Sequence, residues 1–263
     1  MNIVMTVARS QTREVLRSRW LASYALFFLA VTGGLLRFTG GNARTILSLA
    51  SVMLFVVPLA TIVFATAYVY NAREFTELLL AQPVSRRRLF FGLYLGLSMP
   101  LIVALLAGVC IPFLAYGFDD PSQRIMLAAL LGAGVALTMI FTAIAFCIAM
   151  WCDNRLKGVG AAIAVWMLCA VVYDGLVMAM VAAFANYPLE RAMLVVTLAN
   201  PIDLARVALL LQLDVSALMG YTGAVFQQFL GGAIGTLVAA GALSLWIAAP
   251  VGLGVRAFTR MDF

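Results

Sequence analysis

The 263-residue chain contains no histidine, a single lysine and few charged residues of either sign. Each shortage removes a class of function. Without histidine, the commonest metal ligand and the commonest general base are both missing. The one lysine, Lys157, stands in CDNRLKGVG, which is not a G-x-x-x-x-G-K-[ST] loop. The glycine amides and lysine that would converge on a nucleotide's phosphates are therefore not provided, and P-loop hydrolysis is excluded. Any energy input has to come from another chain. The four cysteines include no CxxC pair, so neither a zinc ribbon nor a disulfide framework is indicated.

What the chain has is apolar surface. Apolar residues make up 65% and charged residues 11%, against about 45–50% and about 25% in soluble domains. With a mean hydropathy of +1.06, the excess has to be buried in something larger than a protein core, and a bilayer is the ordinary solvent for it. The net charge of +6 is accounted for by basic residues flanking membrane spans. No basic face with interleaved aromatics is long enough to track a phosphate backbone, so no nucleic-acid partner is expected.

A helix needs about 20 apolar residues to cross the hydrocarbon core. Six runs meet or approach that length: Trp20–Leu36, Thr45–Tyr70, Leu89–Tyr116, Ile125–Trp151, Val159–Phe184 and Phe229–Val255. Arg19 and Arg37 can snorkel to lengthen the first. With both termini inside, twelve of the seventeen basic residues fall in inner segments and five outside, which places both ends in the cytoplasm. A further stretch, MLVVTLANPIDLARVALLLQL (Met193–Leu213), is apolar at each end but carries Asn200, Pro201, Asp203 and Arg206 in its middle. Those groups are costly at mid-bilayer, so this stretch reads as two short helices at the outer interface. The fold expected is an all-α membrane protein with six spans, forming one domain over residues 1–263.

Two further helices are expected on the inner side. Arg9, Arg13 and Arg17 recur at i+4 spacing with Ile3, Val4, Val7, Val15 and Leu16 available for another face, which suits an amphipathic helix on the membrane surface. No A-x-A cleavage site follows the first apolar run, so the leader does not read as a signal peptide. Asn71–Gly92, NAREFTELLLAQPVSRRRLFFG, is a long charged stretch between two spans. Arg73, Glu74, Glu77 and Leu78–Leu80 fit a short amphipathic helix, which Pro83 ends. A mere connector needs only a few residues, so this segment reads as a docking surface for a soluble partner.

Asp174, with Tyr173 beside it, lies in the outer half of the fifth span, where a carboxylate costs roughly 1–3 kcal/mol unless paired, protonated or wet. It reads either as a gate or polar lining, or as one half of a local pair with Arg191 or Arg206. Met167, Met178, Met180 and Cys169 lie nearby and are soft ligands suited to Cu(I). Met178 and Met180 point to different helix faces, so no metal site is assigned to this chain. Asp174 is a solitary intramembrane carboxylate and supplies no acid–base pair, so no catalytic residues are assigned and the chain is not expected to be an enzyme.

TELLLAQPVSRRRLFFGLYLGL resembles the stretch between the second and third spans of ABC-2-type permeases, where a coupling helix seats in a groove of the ATPase subunit. DNRLKGVGAAIAVWMLCAVVYDGL (Asp153–Leu176) and LANPIDLARVALLLQLDVSALMGYTGAVFQQFLG (Leu198–Gly231) are similar to one branch of that family. Its members are the membrane subunits of ABC complexes that mature the copper centres of nitrous oxide reductase. The resemblance runs the length of the chain. It implies a multi-pass protein of the bacterial inner membrane that pairs with a second copy of itself and two copies of a cytoplasmic ATPase. ATP and Mg would be bound by the ATPase, and this chain would hold no cofactor. A periplasmic β-helix protein would sit on the outer face, with a copper-chaperone lipoprotein as a further candidate, and the complex would supply copper or sulfur for cluster assembly. Glu74, Glu77, Leu78, Leu79, Gln82, Pro83 and Arg86 would then face the ATPase. Asn200, Pro201, Asp203, Arg206, Asp214 and Tyr221 would face the periplasmic partner. The alternative within the same family is an export permease for a drug, an antibiotic or a lipid.

Overall fold

The computed structural model describes residues 3–40, 43–80, 85–116, 121–184, 190–213 and 233–260, and every regular element among them is helical. In chain order these are α1 (Ile3–Leu16), α2 (Arg19–Thr39), α3 (Ala43–Asn71), α4 (Arg73–Leu80), α5 (Arg86–Tyr116) and α6 (Pro121–Trp151). They continue with α7 (Arg155–Met167), a π-helical turn at Leu168–Val172, α8 (Tyr173–Ala183), α9 (Glu190–Ala199), α10 (Pro201–Leu213) and α11 (Ala233–Arg260).

Among the described residues, six helical stretches are long and apolar enough to cross a membrane: Arg19–Thr39, Arg44–Asn71, Arg86–Tyr116, Gln123–Trp151, Arg155–Ala183 and Leu237–Arg260. They coincide with the six apolar runs of the sequence, with two adjustments. The fifth runs unbroken through the π turn, and the sixth continues through Arg256 to Arg260 rather than leaving both arginines in a tail. The beginning of the sixth apolar run, at Phe229, lies outside the described residues. Met193–Ala199 and Pro201–Leu210 meet at a bend of 114°. A pair that turns back this sharply gains little depth, so it does not add a crossing.

Burial separates the middle of the bundle from its edge. In the most apolar window of the fourth span 78% of residues are buried, against 6% in the fifth. α6 is thus the centre, with α3, α5, α10 and α11 packed round it, while α7 reaches the bundle through α3. Close to the α4 end, Phe90 packs edge-on against Phe146 (5.4 Å between centroids) and Phe258 (5.8 Å) and stacks on Tyr94 (6.2 Å). Such aromatic pairs add to burial about 0.5–1.5 kcal/mol each, and here they fasten α5, α6 and α11 to one another.

α1 buries Gln11 and Val15 and leaves Arg9, Arg13 and Arg17 exposed. Its buried face lies on α5 at Gly96, where an added Cβ would stand 2.7 Å from the Gln11 Cβ and 3.2 Å from the Ala8 carbonyl oxygen. Only glycine permits that approach.

Candidate functional site

Polar side chains converge at two opposite ends of the bundle. At the first end α4 begins one residue after α3 stops, with Ala72 as the corner. Thr76 Oγ1 donates to the Ala72 carbonyl at 2.7 Å and steadies the new helix. Arg73 then turns back toward the end of α6. Its Nη2 donates to the carbonyl oxygens of Ala149 (2.7 Å) and Cys152 (3.0 Å), and its Nη1 to that of Asp153 (3.0 Å). Carbonyls in the last turn of a helix lack intrahelical partners and carry the negative end of its dipole. A guanidinium, with five donors in a fixed fork, is well suited to hold one such carbonyl, that of Ala149, together with those of Cys152 and Asp153 just past the helix end.

Tyr70 completes the grip. Its hydroxyl donates to the Cys152 carbonyl at 2.6 Å, and the Arg73 guanidinium carbon lies 4.7 Å from its ring centroid. The ring fits because residue 158 is glycine, where a Cβ would lie 2.1 Å from the tyrosine hydroxyl oxygen. Beyond the elbow, Asn154 Oδ1 accepts from the Leu156 amide at 2.8 Å and caps α7. Arg155 Nη1 donates to Asn71 Oδ1 at 3.0 Å. The α3–α4 corner is therefore clamped to the α6–α7 corner, and through it to the base of the fifth span.

The free face of α4 shows Phe75 (42% exposed), Glu77 and Leu78 (70% exposed), while Leu79 is half-buried against the core. Arg86 is half-buried and its Nη1 donates to the Thr259 carbonyl at 3.2 Å, joining the start of the third span to the end of the sixth. The side chain of Glu74, and all of Gln82 and Pro83, lie outside the described residues.

At the opposite end the NPID segment is folded into the bundle. Asn200 caps α10, its Oδ1 accepting from the Ile202 amide at 3.1 Å with Pro201 at the first helical position. Its Nδ2 donates to the Cys169 carbonyl (2.8 Å) in the π turn of the fifth span and to Asp203 Oδ2 (3.3 Å). Two carbonyls in the last turn of α9 are taken by neighbouring spans: Val196 by the Tyr173 hydroxyl (2.5 Å) and Leu198 by Trp246 Nε1 (2.9 Å). Asn200 is 1% exposed and Asp203 9%, and Pro201 is also buried.

Arg206 joins the two acids. It meets Asp174 fork to fork, Nη1 to Oδ1 and Nη2 to Oδ2 both at 3.2 Å, and Asp203 Oδ1 at 3.0 Å. Asp174 is thus paired with Arg206, one of the two arginines within its reach by sequence. The Asp203 pKa is raised to about 6, chiefly by burial, with Arg206 opposing the rise and the adjacent Asp174 adding to it. Asp214 and Tyr221 lie outside the described residues. Sequence reasoning missed Arg73 and Tyr70 as clamp residues. The available signal was an arginine and a tyrosine within one turn of a span's end, followed at once by a second helix.

Residues 42–263 match the family described as "ABC-2 family transporter protein". The chain belongs to this family, and it is an ABC transporter permease subunit of the ABC-2 type, a multi-pass membrane protein whose family implies ATPase partner subunits. Two relatives carry the name "Probable ABC transporter permease protein NosY". The chain is 26% identical to the one from Pseudomonas aeruginosa, over 99% of both chains. It is 27% identical to the one from Stutzerimonas stutzeri, over 78% of this chain and 80% of the relative.

Proposed function

We propose that the chain is the membrane half of an ATP-driven complex serving copper-centre assembly of nitrous oxide reductase, coupling hydrolysis in a separate cytoplasmic ATPase to an event in the periplasm. The complex would hold two copies of this chain and two of the ATPase. The observation that carries the reading is similarity along the whole chain to a NosY-named permease. Two features of the structure agree with it. The α4 helix offers an exposed face, is rooted by Arg73 to the end of the fourth span and the corner beyond it, and is tied to the base of the fifth span by the hydrogen bond from Arg155 to Asn71. Nineteen residues on, roughly 28 Å along a helix, the same span carries Asp174, tied by Arg206 to the α9–α10 hairpin.

In this mechanism the closing ATPase pair pushes on α4, the clamp passes the push to the fifth span, and the span moves as a rigid rod. Its far end then shifts the hairpin that faces the periplasmic partner. Both termini would lie in the cytoplasm. The test is deletion of the gene in its own host, followed by purification of nitrous oxide reductase and measurement of its copper. The reading expects a copper-poor reductase that regains its metal on complementation. A fully metallated reductase from the deletion strain would overturn it and favour an export permease.

A further inference from the structure

A groove of about 980 Å3 lies between α1–α2 on one side and α3 on the other, at the α4 end of the bundle. That volume is at the upper limit of ordinary small-molecule sites, about 300–1,000 Å3. Its floor is apolar, built from Phe27, Val56, Leu59, Phe64 and Leu101. Its rim is polar, with Glu14, Arg17, Asn71 and Arg155. The groove follows α2 from Ser18 to Phe27, about nine residues or roughly 14 Å. That is half of a hydrocarbon core of about 30 Å. A cleft that is charged at one end, apolar along the rest and one leaflet deep has the proportions of a lipid.

The polar groups narrow the class. Glu14, Arg17 and Arg155 are exposed, and none of the three forms an ion pair among the described residues. Gln11, one helical turn before Glu14, is 2% exposed and lines the groove with its Oε1 unpartnered among the described residues. The Tyr68 hydroxyl lines it too and is equally unpartnered. A buried acceptor or donor left without a partner is unfavourable, so these atoms call for a ligand. Two acceptors on one helix face, Gln11 Oε1 and the Glu14 carboxylate, match an ammonium group with three N–H donors. Two arginines beside them match a phosphate.

We propose that the groove binds one phosphatidylethanolamine from the leaflet on the α4 side. The phosphate would sit between Arg17 and Arg155, the amine at Glu14 and Gln11, the glycerol esters near the Tyr68 hydroxyl, and an acyl chain along Phe27 and Leu59. Arg155 also holds Asn71 at the α3–α4 corner. The lipid would therefore touch the element through which α4 is anchored. This assignment stands on the groove alone and does not depend on the cargo of the complex.

The test is native mass spectrometry of the full chain in mild detergent, with palmitoyl-oleoyl phosphatidylethanolamine or its phosphatidylglycerol counterpart added. One ethanolamine lipid retained per chain is expected. Reversing both cations, Arg17→Glu with Arg155→Glu, should weaken retention at least about tenfold, since a basic residue at a lipid surface contributes roughly 1 kcal/mol. Gln11→Leu with Glu14→Gln should erase the preference for ethanolamine over glycerol while keeping both lipids bound. Ala60→Trp and Ala67→Trp fill the groove without touching its charges, and each should abolish retention in a protein whose melting temperature is unchanged. Retention indifferent to all these changes would overturn the proposal. So would a second copy of the chain seated in the groove, revealed as a disulfide dimer of the Ala60→Cys variant.

Discussion

Arg73 and Tyr70 share one acceptor. The guanidinium donates to the Cys152 carbonyl at 3.0 Å and the phenol donates to it at 2.6 Å, with the cation stacked 4.7 Å from the ring centroid. One residue from the end of the second span and one from α4 thus hold the same oxygen past the end of α6. Because three carbonyls depend on Arg73, its loss exposes more than one unmet acceptor.

Arg73→Ala should therefore leave the chain folded and inserted but looser at the elbow, with a loss of about 1–3 kcal/mol. Thermal unfolding in detergent measures the stability. The ATPase should still co-purify, while function that depends on coupling should fall more steeply than ATPase binding does. Arg73→Lys should restore little, because a single ammonium cannot spread its donors over three carbonyls as a planar fork does.

Gly158 is required by the Tyr70 ring. Gly158→Val should destabilise by about 1–3 kcal/mol through overpacking, and pairing it with Tyr70→Ala should recover part of the loss. Additive losses, read in a double-mutant cycle of melting temperatures, would contradict the contact.

At the other end, Arg206 is the one cation between two carboxylates. Arg206→Met should destabilise the hairpin, by up to about 3–5 kcal/mol if Asp203 stays ionised in its buried site. Arg206→Met with Asp203→Asn should be milder than Arg206→Met alone, since it no longer strands a buried charge. Hydrogen exchange of the α9 and α10 amides follows the effect locally.

The same trio gives a pH dependence. The Asp203 pKa is raised from 3.8 to about 6, chiefly by burial, with Arg206 pulling against the rise and Asp174 adding to it. The folded chain therefore binds this proton more tightly than the unfolded chain does. The resulting stability is fully present below the ordinary carboxyl range and is lost as pH rises through about 6. Melting temperatures should decline over that window in the native chain, and Asp203→Asn should flatten the slope. An unchanged slope in that variant would remove Asp203 as its source.

How much of this could be read in advance follows the range of the forces involved. The spans were legible because a run of apolar residues is a local property, and the broken pair was legible because Asn200, Pro201 and Asp203 interrupt such a run. The Asn200 cap was not read from the sequence, where Asn200 and Pro201 drew notice only as groups out of place in an apolar run, although Asn-Pro at a helix start is a local signal that could have given it. Pairings across distance were not legible. Asp174 had two arginines within reach, and only packing of the hairpin on the π turn selected Arg206 over Arg191. The Arg73 clamp joins residues almost eighty apart, and no periodicity encodes which helix end lies beside which corner. The close approach of α1 to Gly96 was not legible either, since a glycine in an apolar run carries no mark of the helix that will lie on it.

The central claim is that α4 receives its push from an ATPase. Leu78 is its most direct reporter, being 70% exposed on the free face of that helix. A photo-crosslinking amino acid placed at Leu78 in native membranes, with the captured chain identified by mass spectrometry, tests the claim at one contact. The account predicts an adduct with a nucleotide-binding ATPase subunit, lost when Glu77→Lys is added. Adducts with lipid or with other membrane chains alone, while the ATPase remains bound elsewhere in the complex, would contradict it.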